Sequence, residues 1–336
     1  MDYPGEKLLI RLWETIAEKG IGTLLIPWQI RREGRARIDV RREAMLVIAQ
    51  AEHDVEDIRT GRRCLVPSGR LEALPEPAIP QGVGEGSAVG HSAAIVSRNM
   101  IAEGIREEIN VTKAILGAVA ELEADSQEPP EQKIVDDWLF RWRESASTVS
   151  TEELQNLWGR VLAGEIKSPG SFSLRTLEFL KNLSREEALE IASLSRFVVV
   201  DSIFRGDQQI LDSAGITFGF LLRMQELGIL SGVEAIGVSL TLKSSETEQF
   251  RRGLLSHDRT LVVTHEDVNK EIRLNVYPLT SLGQQVLTLG SFESHEAYLR
   301  SVGKAIRGQG FKVLIARYQG VTRTEGRYFD AQELVD

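Results

Sequence analysis

Two long segments with apolar residues every three or four positions constrain the fold more than any other feature of the sequence. The first follows Pro27 and the second begins near Ala93. Neither apolar stripe has a partner within its own helix, so we expect residues 29–60 and 93–124 to form continuous helices that pack together. The stripes consist of Val40, Ala44, Val47, Ile48, Ala51, Val55 and Ile58, and of Ile101, Ile105, Ile109, Ile115, Leu116, Val119 and Leu122.

Changes in composition and periodicity divide the rest of the chain. A stretch rich in Pro and Gly separates the two long helices, and the acidic EADSQEPPEQ ends the second. In the N-terminal half, we predict an amphipathic helix and a long basic helix over residues 1–65, a linker over 66–90 and the second long helix over 91–125. A central helical domain follows over residues 132–213, with capping boxes at Ser150/Glu153 and Ser184/Glu187. The remaining parts are an α+β segment over residues 214–319 and a polar tail without regular structure over 320–336.

After residue 214 the helical period gives way to alternation. A helix ending in LLRMQELGIL precedes predicted strands at residues 238–242, 260–263 and 272–277. A helix capped by Thr280, a helix near 295–306 and a strand in FKVLIARY follow. This order resembles winged-helix domains, in which a helix ends at Leu-Gly, a β-wing follows and a Thr-capped helix closes the domain. The predicted fold class is therefore mostly α, with a C-terminal α+β winged-helix-like segment.

Composition excludes several classes of site and location. The single cysteine, Cys64, excludes an internal disulfide and a zinc site built on several thiolates. The five histidines have no second His or Cys at ligand spacing, and His265-Glu266-Asp267 fits a solvated polar turn. We therefore expect no metal, no cofactor and no catalytic residues. Because the start of the chain has neither a secretory signal nor an apolar run of about 20 residues, we predict a cytoplasmic protein, at most peripheral at the membrane.

Four arginines form a basic stripe opposite the apolar stripe of the first long helix, and they are Arg31, Arg32, Arg35 and Arg42. Acidic lipids, nucleic acid or an acidic protein would fit this stripe. The alternative is a solvated helix face balanced by Glu33, Asp39 and Glu43. The net charge of −9 disfavours non-specific binding of nucleic acid by the whole molecule.

The winged-helix-like segment has few residues that could read DNA. A recognition helix needs Arg, Lys, Asn or Gln on its exposed face, and ITFGFLLRMQELG supplies only Arg223 and Gln225. In the predicted wing, Lys243, Arg251, Arg252 and Arg259 alternate with Glu246, Glu248 and Asp258, which is typical of a solvated loop. The segment therefore favours packing or protein contacts over DNA reading.

The most distinctive motif runs through the central domain. It comprises LQNLWGRVLAGE from Leu154 to Glu165, then Pro169-Gly170, then LRTL from Leu174. This core resembles an uncharacterised bacterial family catalogued as a domain of unknown function, and the resemblance extends from residues 26–32 to 279–283. It implies a bacterial cytoplasmic protein in a stress or phage-defence context, and it implies no catalytic residues.

The same motif has a simple physical interpretation. Leu154, Leu157, Trp158, Val161 and Leu162 form one helical stripe, which predicts that Trp158 is a core residue. Trp138, which precedes the motif, belongs to the same predicted packing core. Gly164 permits close approach or a helix end, and Glu165 is expected to pair with Arg175. A groove for a ligand or partner is the alternative interpretation of this motif.

These observations predict a non-enzymatic sensor, adaptor or regulator that binds a macromolecular partner, most simply a protein. An exposed apolar stripe on the helix pair would also favour a homo-oligomer. One alternative is an enzyme, such as a nuclease or hydrolase effector, whose active-site residues come from distant segments. The other is a DNA-binding winged-helix regulator.

Overall fold

The computed structural model describes residues 4–22, 24, 37–66, 70–73, 86–235, 238–320 and 326–334, and at 37–43 and 86–91 it describes the backbone alone. The chain divides into two compact units, Met1–Leu177 and Glu178–Asp336. Helices are the main element, and the strands concentrate in the C-terminal half, so the predicted combination of a mostly helical chain with a sheet-containing C-terminal part is confirmed. No helix in the described ranges has the length and apolar character needed to cross a membrane.

The first unit is helical. Its elements are α1 (Glu6–Glu18), α2 (Arg37–Arg59), β1 (Arg63–Leu65), β2 (Leu71–Ala73), α3 (Gly86–Leu122), α4 (Asp136–Ser147), α5 (Glu152–Lys167) and the first turn of α6 (Leu174–Asn182). The two long helices pack through the predicted stripes, since Ile48, Ala51, Val55 and Ile58 of α2 form one apolar cluster with α3. Residues 29–36, where the sequence predicts the start of the first long helix, lie outside the described residues.

The predicted linker over residues 66–90 contains regular structure at both ends. Strands β1 and β2 form an antiparallel hairpin in which Arg63 pairs with Ala73. Helix α3 starts at Gly86, seven residues before the predicted start at residue 93. The sequence does not predict this start because Gly86 and Gly90 are poor helix formers. Each glycine costs a helix only about 1 kcal/mol, which a helix of 37 residues tolerates.

One of the two predicted capping boxes is present. The Ser184 hydroxyl accepts a hydrogen bond from Glu187 N, and the Glu187 carboxylate accepts one from Ser184 N, at the start of α7 (Arg185–Ser195). The box at Ser150 and Glu153 is wrong. Because α5 begins one residue later, Thr151 is its N-cap and Glu153 no longer occupies the third helical position.

The second unit combines short helices with two antiparallel sheets. The elements after α7 are β3 (Val198–Val199), β4 (Ser202–Phe204), α8 (Gln208–Ser213), α9 (Phe218–Glu226), β5 (Val238–Leu242), β6 (Phe250–Ser256), β7 (Arg259–His265), β8 (Ile272–Pro278), α10 (Ser281–Leu287), α11 (Glu296–Arg307), β9 (Lys312–Gly320) and β10 (Gly326–Glu333). Strands β3, β4, β8 and β5 form the first sheet in that order, and strands β10, β9, β7 and β6 form the second.

Two segments of this unit differ from the sequence predictions. The predicted solvated wing contains the hairpin β6–β7, in which Ser256 pairs with Arg259. The predicted loose tail contains β10, which pairs with β9 through Arg327 and Gln319. Every residue of β10 is exposed, so the strand lacks the apolar alternation that would mark it in the sequence.

Helix α11 covers one face of the second sheet. Gly303 of α11 lies against Leu261 of β7 and Val313 of β9. The buried Tyr298 hydroxyl donates to Phe204 O at 3.1 Å and accepts from Phe204 N, which fixes α11 to β4. This arrangement leaves the first turn of α11 at one end of the covered face.

Candidate functional site

The structure leaves the basic stripe of the first long helix as a prediction. Arg31, Arg32 and Arg35 lie outside the described residues. Arg42 belongs to α2, where only the backbone of this part is described. The contact of this stripe with an anionic partner therefore stays a prediction, which no distance between described atoms tests.

Three tryptophans of the central motif region are buried, and the indole N–H groups of two of them donate hydrogen bonds. Trp138 Nε1 donates to Phe172 O at 2.7 Å, and Trp142 Nε1 donates to Trp158 O at 2.9 Å. Trp158 is 1% exposed. The burial of Trp138 and Trp158 agrees with the interpretation of both as core residues, and the bonded indole N–H of Trp138 is typical of a packed tryptophan. Leu154, which the stripe places in the core, is 39% exposed.

The glycines of the motif allow close packing. A Cβ on Gly159 would lie 2.8 Å from Ala114 O and from Ala118 N, both backbone atoms of α3. A Cβ on Gly164 would lie 2.6 Å from the Phe172 ring. Helices α3 and α5 therefore approach each other at a distance that only glycine allows at position 159.

Glu165 binds the loop that follows its helix. This side chain is buried, its Oε1 accepts from Gly170 N at 2.6 Å, and its Oε2 accepts from Phe172 N at 3.1 Å. The predicted ion pair with Arg175 is wrong, since Arg175 is exposed on α6 and no ion pair joins these two described residues. The physical reason is the loop: Gly170 has φ +88°, and the turn presents successive backbone N–H groups to the carboxylate.

Replacing Glu165 by Ala is expected to lower the free energy of unfolding by about 1–3 kcal/mol near neutral pH, because the buried N–H group of Phe172 and the partly buried N–H group of Gly170 lose their acceptor. Burial raises the pKa of the Glu165 carboxyl, although hydrogen bonds from the loop oppose this shift. Because the pKa of Glu165 is raised in the folded state, the stability that its carboxyl contributes is complete at pH values below the unfolded pKa. This contribution is lost as the pH rises through the folded-state pKa.

The stability difference between wild type and Glu165→Ala should therefore be larger at about pH 4 than at about pH 8. Urea denaturation at both pH values measures it. Glu121→Ala, at an exposed position of α3, is the matched control and should change stability little at either pH. A difference that grows towards pH 8 would contradict the raised pKa.

Helix α9 presents an apolar face to solvent. Its N-cap, Thr217, accepts from Phe220 N, while Leu221 and Met224 are buried against the unit. On the outward face, Phe218 is 52% exposed, and the half-buried Leu222 follows one turn later. Phe218 and Leu222 are four positions apart, so they form a single exposed apolar surface, which we call the α9 face.

Two of the three polar residues of α9 are engaged within the same unit. Arg223 forms an ion pair with Glu190 of α7 at 3.0 Å, and Gln225 Oε1 accepts from Val233 N at 2.7 Å. These are the two residues that the sequence offered as DNA readers. The α9 face was not predicted from the sequence. The run Phe218-Gly219-Phe220 places no polar residue at the start of the helix, and this pattern could have indicated an exposed apolar surface.

The polar turn at His265 is occupied by local contacts. His265 Nδ1 accepts from Asp267 N at 3.0 Å, and Nε2 lies 3.1 Å from Lys270 Nζ. Among the described residues, no three His, Cys, Asp or Glu side chains are placed to hold a metal ion. These contacts make the turn a structural feature of the connection between β7 and β8.

Comparisons with known proteins gave one finding. Neither the curated proteins nor the solved structures that were compared gave a match. Residues 102–211 match a family model described as "Protein of unknown function (DUF2806)". The match extends from α3 to α8 and contains the Trp-Gly-Glu motif, a narrower range than the resemblance over residues 26–283 predicts. Over residues 102–211, the chain is thus similar to a family of unknown function, as expected from the sequence.

Proposed function

We propose that this protein is a non-enzymatic adaptor or regulator that binds a protein partner through the α9 face. The observation that carries the proposal is the exposure of Phe218, with Leu222 beside it, on a helix whose arginine and glutamine side chains are bonded within the unit. Exposed aromatic and aliphatic side chains of this kind are the anchors of protein interfaces.

A winged-helix architecture is part of the proposal; the sequence predicts it over residues 214–319, and the elements that support it lie within residues 185–278. Helix α7, strands β3 and β4, helices α8 and α9, and strand β5 follow in that order, and β8 comes after the hairpin β6–β7 of the other sheet. In the first sheet, β8 lies between β4 and β5. This order and sheet arrangement support the likeness. In helix-turn-helix proteins the second helix of the pair enters the major groove, and α9 is the corresponding helix here.

The chemistry of α9 favours a protein over DNA at that position. Base edges and phosphates require hydrogen-bond donors and positive charge. The first turn of α9 instead presents Phe218 and Gly219. The Arg223 charge is already opposed by Glu190, so releasing it to a phosphate would leave that carboxylate without its partner.

The surroundings of the α9 face indicate the chemistry of the partner. Leu189 of α7 precedes Glu190 in the chain and is 64% exposed, so the helix that pairs with α9 through Glu190 also carries exposed apolar surface. Helices α7 and α9 together carry four carboxylates, Glu186, Glu187, Glu190 and Glu226, against the two cations Arg185 and Arg223. The complementary partner is an amphipathic helix with apolar anchors and flanking basic residues.

Phe218→Asp is expected to weaken the binding of this partner by about thirtyfold or more, because it removes the central anchor and adds a like charge to the acidic rim. The measurement is the Kd of a partner first co-purified with the wild-type chain from its own host and then titrated as a pure protein. Phe140→Asp, on α4 of the first unit, is the matched control, since Phe140 is 51% exposed.

Two results would contradict the proposal. Equal affinity of Phe218→Asp and Phe140→Asp for the partner would remove the α9 face from the interaction. Selection from random DNA duplexes that returns one enriched motif, with affinity lost on changing Arg223 or Gln225, would instead favour a DNA-binding regulator.

A further inference from the structure

Three of the four sheet edges described in the second unit are protected against pairing with another strand. Strand β3 is only two residues long. On the outer side of β6, Leu255 O accepts from Val200 N at 3.0 Å, and Arg251 O accepts from Ser245 N at 2.9 Å. Strand β10 has a shift in its register and three charged side chains. Short strands, bulges, charges and covering segments are the usual means of protecting a sheet edge.

Strand β5, at the fourth edge, has none of these protections among the described residues. Its sequence, VSLTL, contains no charged residue and no proline, and its register with β8 is continuous from Val238 to Leu242. Val238 is 40% exposed. An uncharged edge strand of this composition favours pairing with a further strand.

The hydrogen bonds of β8 show which backbone groups of β5 face outwards. Asn275 O accepts from Arg205 N, which follows β4, at 2.9 Å, so Asn275 directs its backbone groups towards β4. Ser239 of β5 lies opposite Asn275. Because successive residues of a strand direct their backbone groups to alternate sides, the N–H and C=O of Ser239 and Thr241 point away from β8. No described residue forms a hydrogen bond with these outward groups.

The outward groups of β5 fit a second copy of the same strand. In an antiparallel pair centred on Leu240, Ser239 of each copy lies opposite Thr241 of the other. Both such pairs then exchange their N–H and C=O hydrogen bonds, and Leu240 faces Leu240 of the second copy in the non-hydrogen-bonded pair between them. Pairs of Ser with Thr and of two apolar side chains are favourable neighbours across strands.

The charges at the two ends of β5 favour the same arrangement. Glu271, which precedes β8, contacts two cations, Arg273 at 3.3 Å and Lys243, which follows β5, at 3.9 Å. This group has one cation more than it has carboxylates. Glu234, which precedes the other end of β5, is exposed. Antiparallel pairing brings the Glu234 end of each copy to the Lys243 end of the other, so opposite charges meet at both ends.

We propose that two copies of this chain form a dimer by antiparallel pairing of their β5 strands, centred on Leu240. The first sheet of each copy then continues into that of the other, as β3-β4-β8-β5 followed by the same strands in reverse order. The same surface is used on both copies and both open edges are covered, so assembly stops at two. This contact does not rest on the proposed function of the α9 face.

The first test is the mass of the full chain in solution, measured by light scattering over a range of concentrations. The wild type should be a dimer. Thr241→Pro removes an outward N–H and no hydrogen bond to β8, and proline is tolerated on the open side of an edge strand. It should weaken dimerisation about tenfold or more, because each copy loses a hydrogen bond to the other. Thr241→Ala keeps this N–H, so it is the matched control and should dimerise like wild type.

The second test is disulfide formation in a Cys64→Ser background, which reports on the register. Leu240→Cys should form a covalent dimer on oxidation, since Cα atoms in a non-hydrogen-bonded pair are about 4.5 Å apart, within the range of disulfides. Ser239→Cys should not, because the two residues at position 239 are diagonal neighbours about 7–8 Å apart. This test does not depend on the folding of Thr241→Pro.

Three results would overturn the proposal. The first is a wild type that is monomeric at every concentration. The second is equal dimerisation of folded Thr241→Pro and Thr241→Ala, which would place the contact on another surface. The third is crosslinking of Ser239→Cys without crosslinking of Leu240→Cys, which would contradict the register.

Discussion

Replacing Gly159 by Leu is expected to lower the free energy of unfolding of the first unit by more than about 3 kcal/mol. Even the Cβ of the new side chain would lie 2.8 Å from Ala114 O and from Ala118 N. Both are backbone atoms inside α3, so they cannot move without displacing the helix. Urea denaturation followed by tryptophan fluorescence measures the loss, because Trp138, Trp142 and Trp158 are buried in the same unit.

The matched control for this substitution lies on the helix that Gly159 contacts. A Cβ on Gly104 of α3 would meet no atom within 4 Å. Gly104→Ala should therefore raise the free energy of unfolding by about 0.5–1 kcal/mol through its higher helix propensity. If Gly159→Leu and Gly104→Ala had similar effects, close packing of α3 against α5 would not be the reason for glycine at position 159.

Trp158→Ala is expected to cost about 3–5 kcal/mol of folding free energy, because a large side chain that is 1% exposed would leave a cavity. The hydrogen bond from Trp142 Nε1 would survive, since its acceptor is the backbone carbonyl of residue 158. The same urea denaturation experiment measures this loss.

Leu154→Ala is the control for Trp158, because both residues lie on the apolar stripe of α5. Leu154 is 39% exposed, so its replacement should cost about 1 kcal/mol or less. Equal losses for the two variants would contradict the burial that the structure assigns to them.

The helix pair could be predicted from the sequence because its burial follows one period. Ile48, Val55 and Ile58 recur at helical spacing, and all three are buried in the cluster between α2 and α3. Strand β10 could not be predicted this way. Its residues are all exposed, and only its backbone pairing with β9 makes it a strand.

The candidate sites show a similar limit. Periodicity places Trp158 in the core, but it cannot show that Glu165 faces the N–H groups of Gly170 and Phe172 instead of Arg175. Such contacts depend on how a loop turns. The pairing of Arg259 with Arg317 depends on strand register between distant segments, which neither composition nor motif spacing specifies.

The central position of β8 in the first sheet has a consequence for the order of folding during synthesis. Strand β8 pairs with β4 on one side and with β5 on the other, yet it is the last of the four strands to be made. Domains fold as their chain emerges from the ribosome at about 5–20 residues per second. Until Pro278 has emerged, Phe204 and Leu242 therefore have no native strand to pair with, and the hairpin β6–β7 is available first.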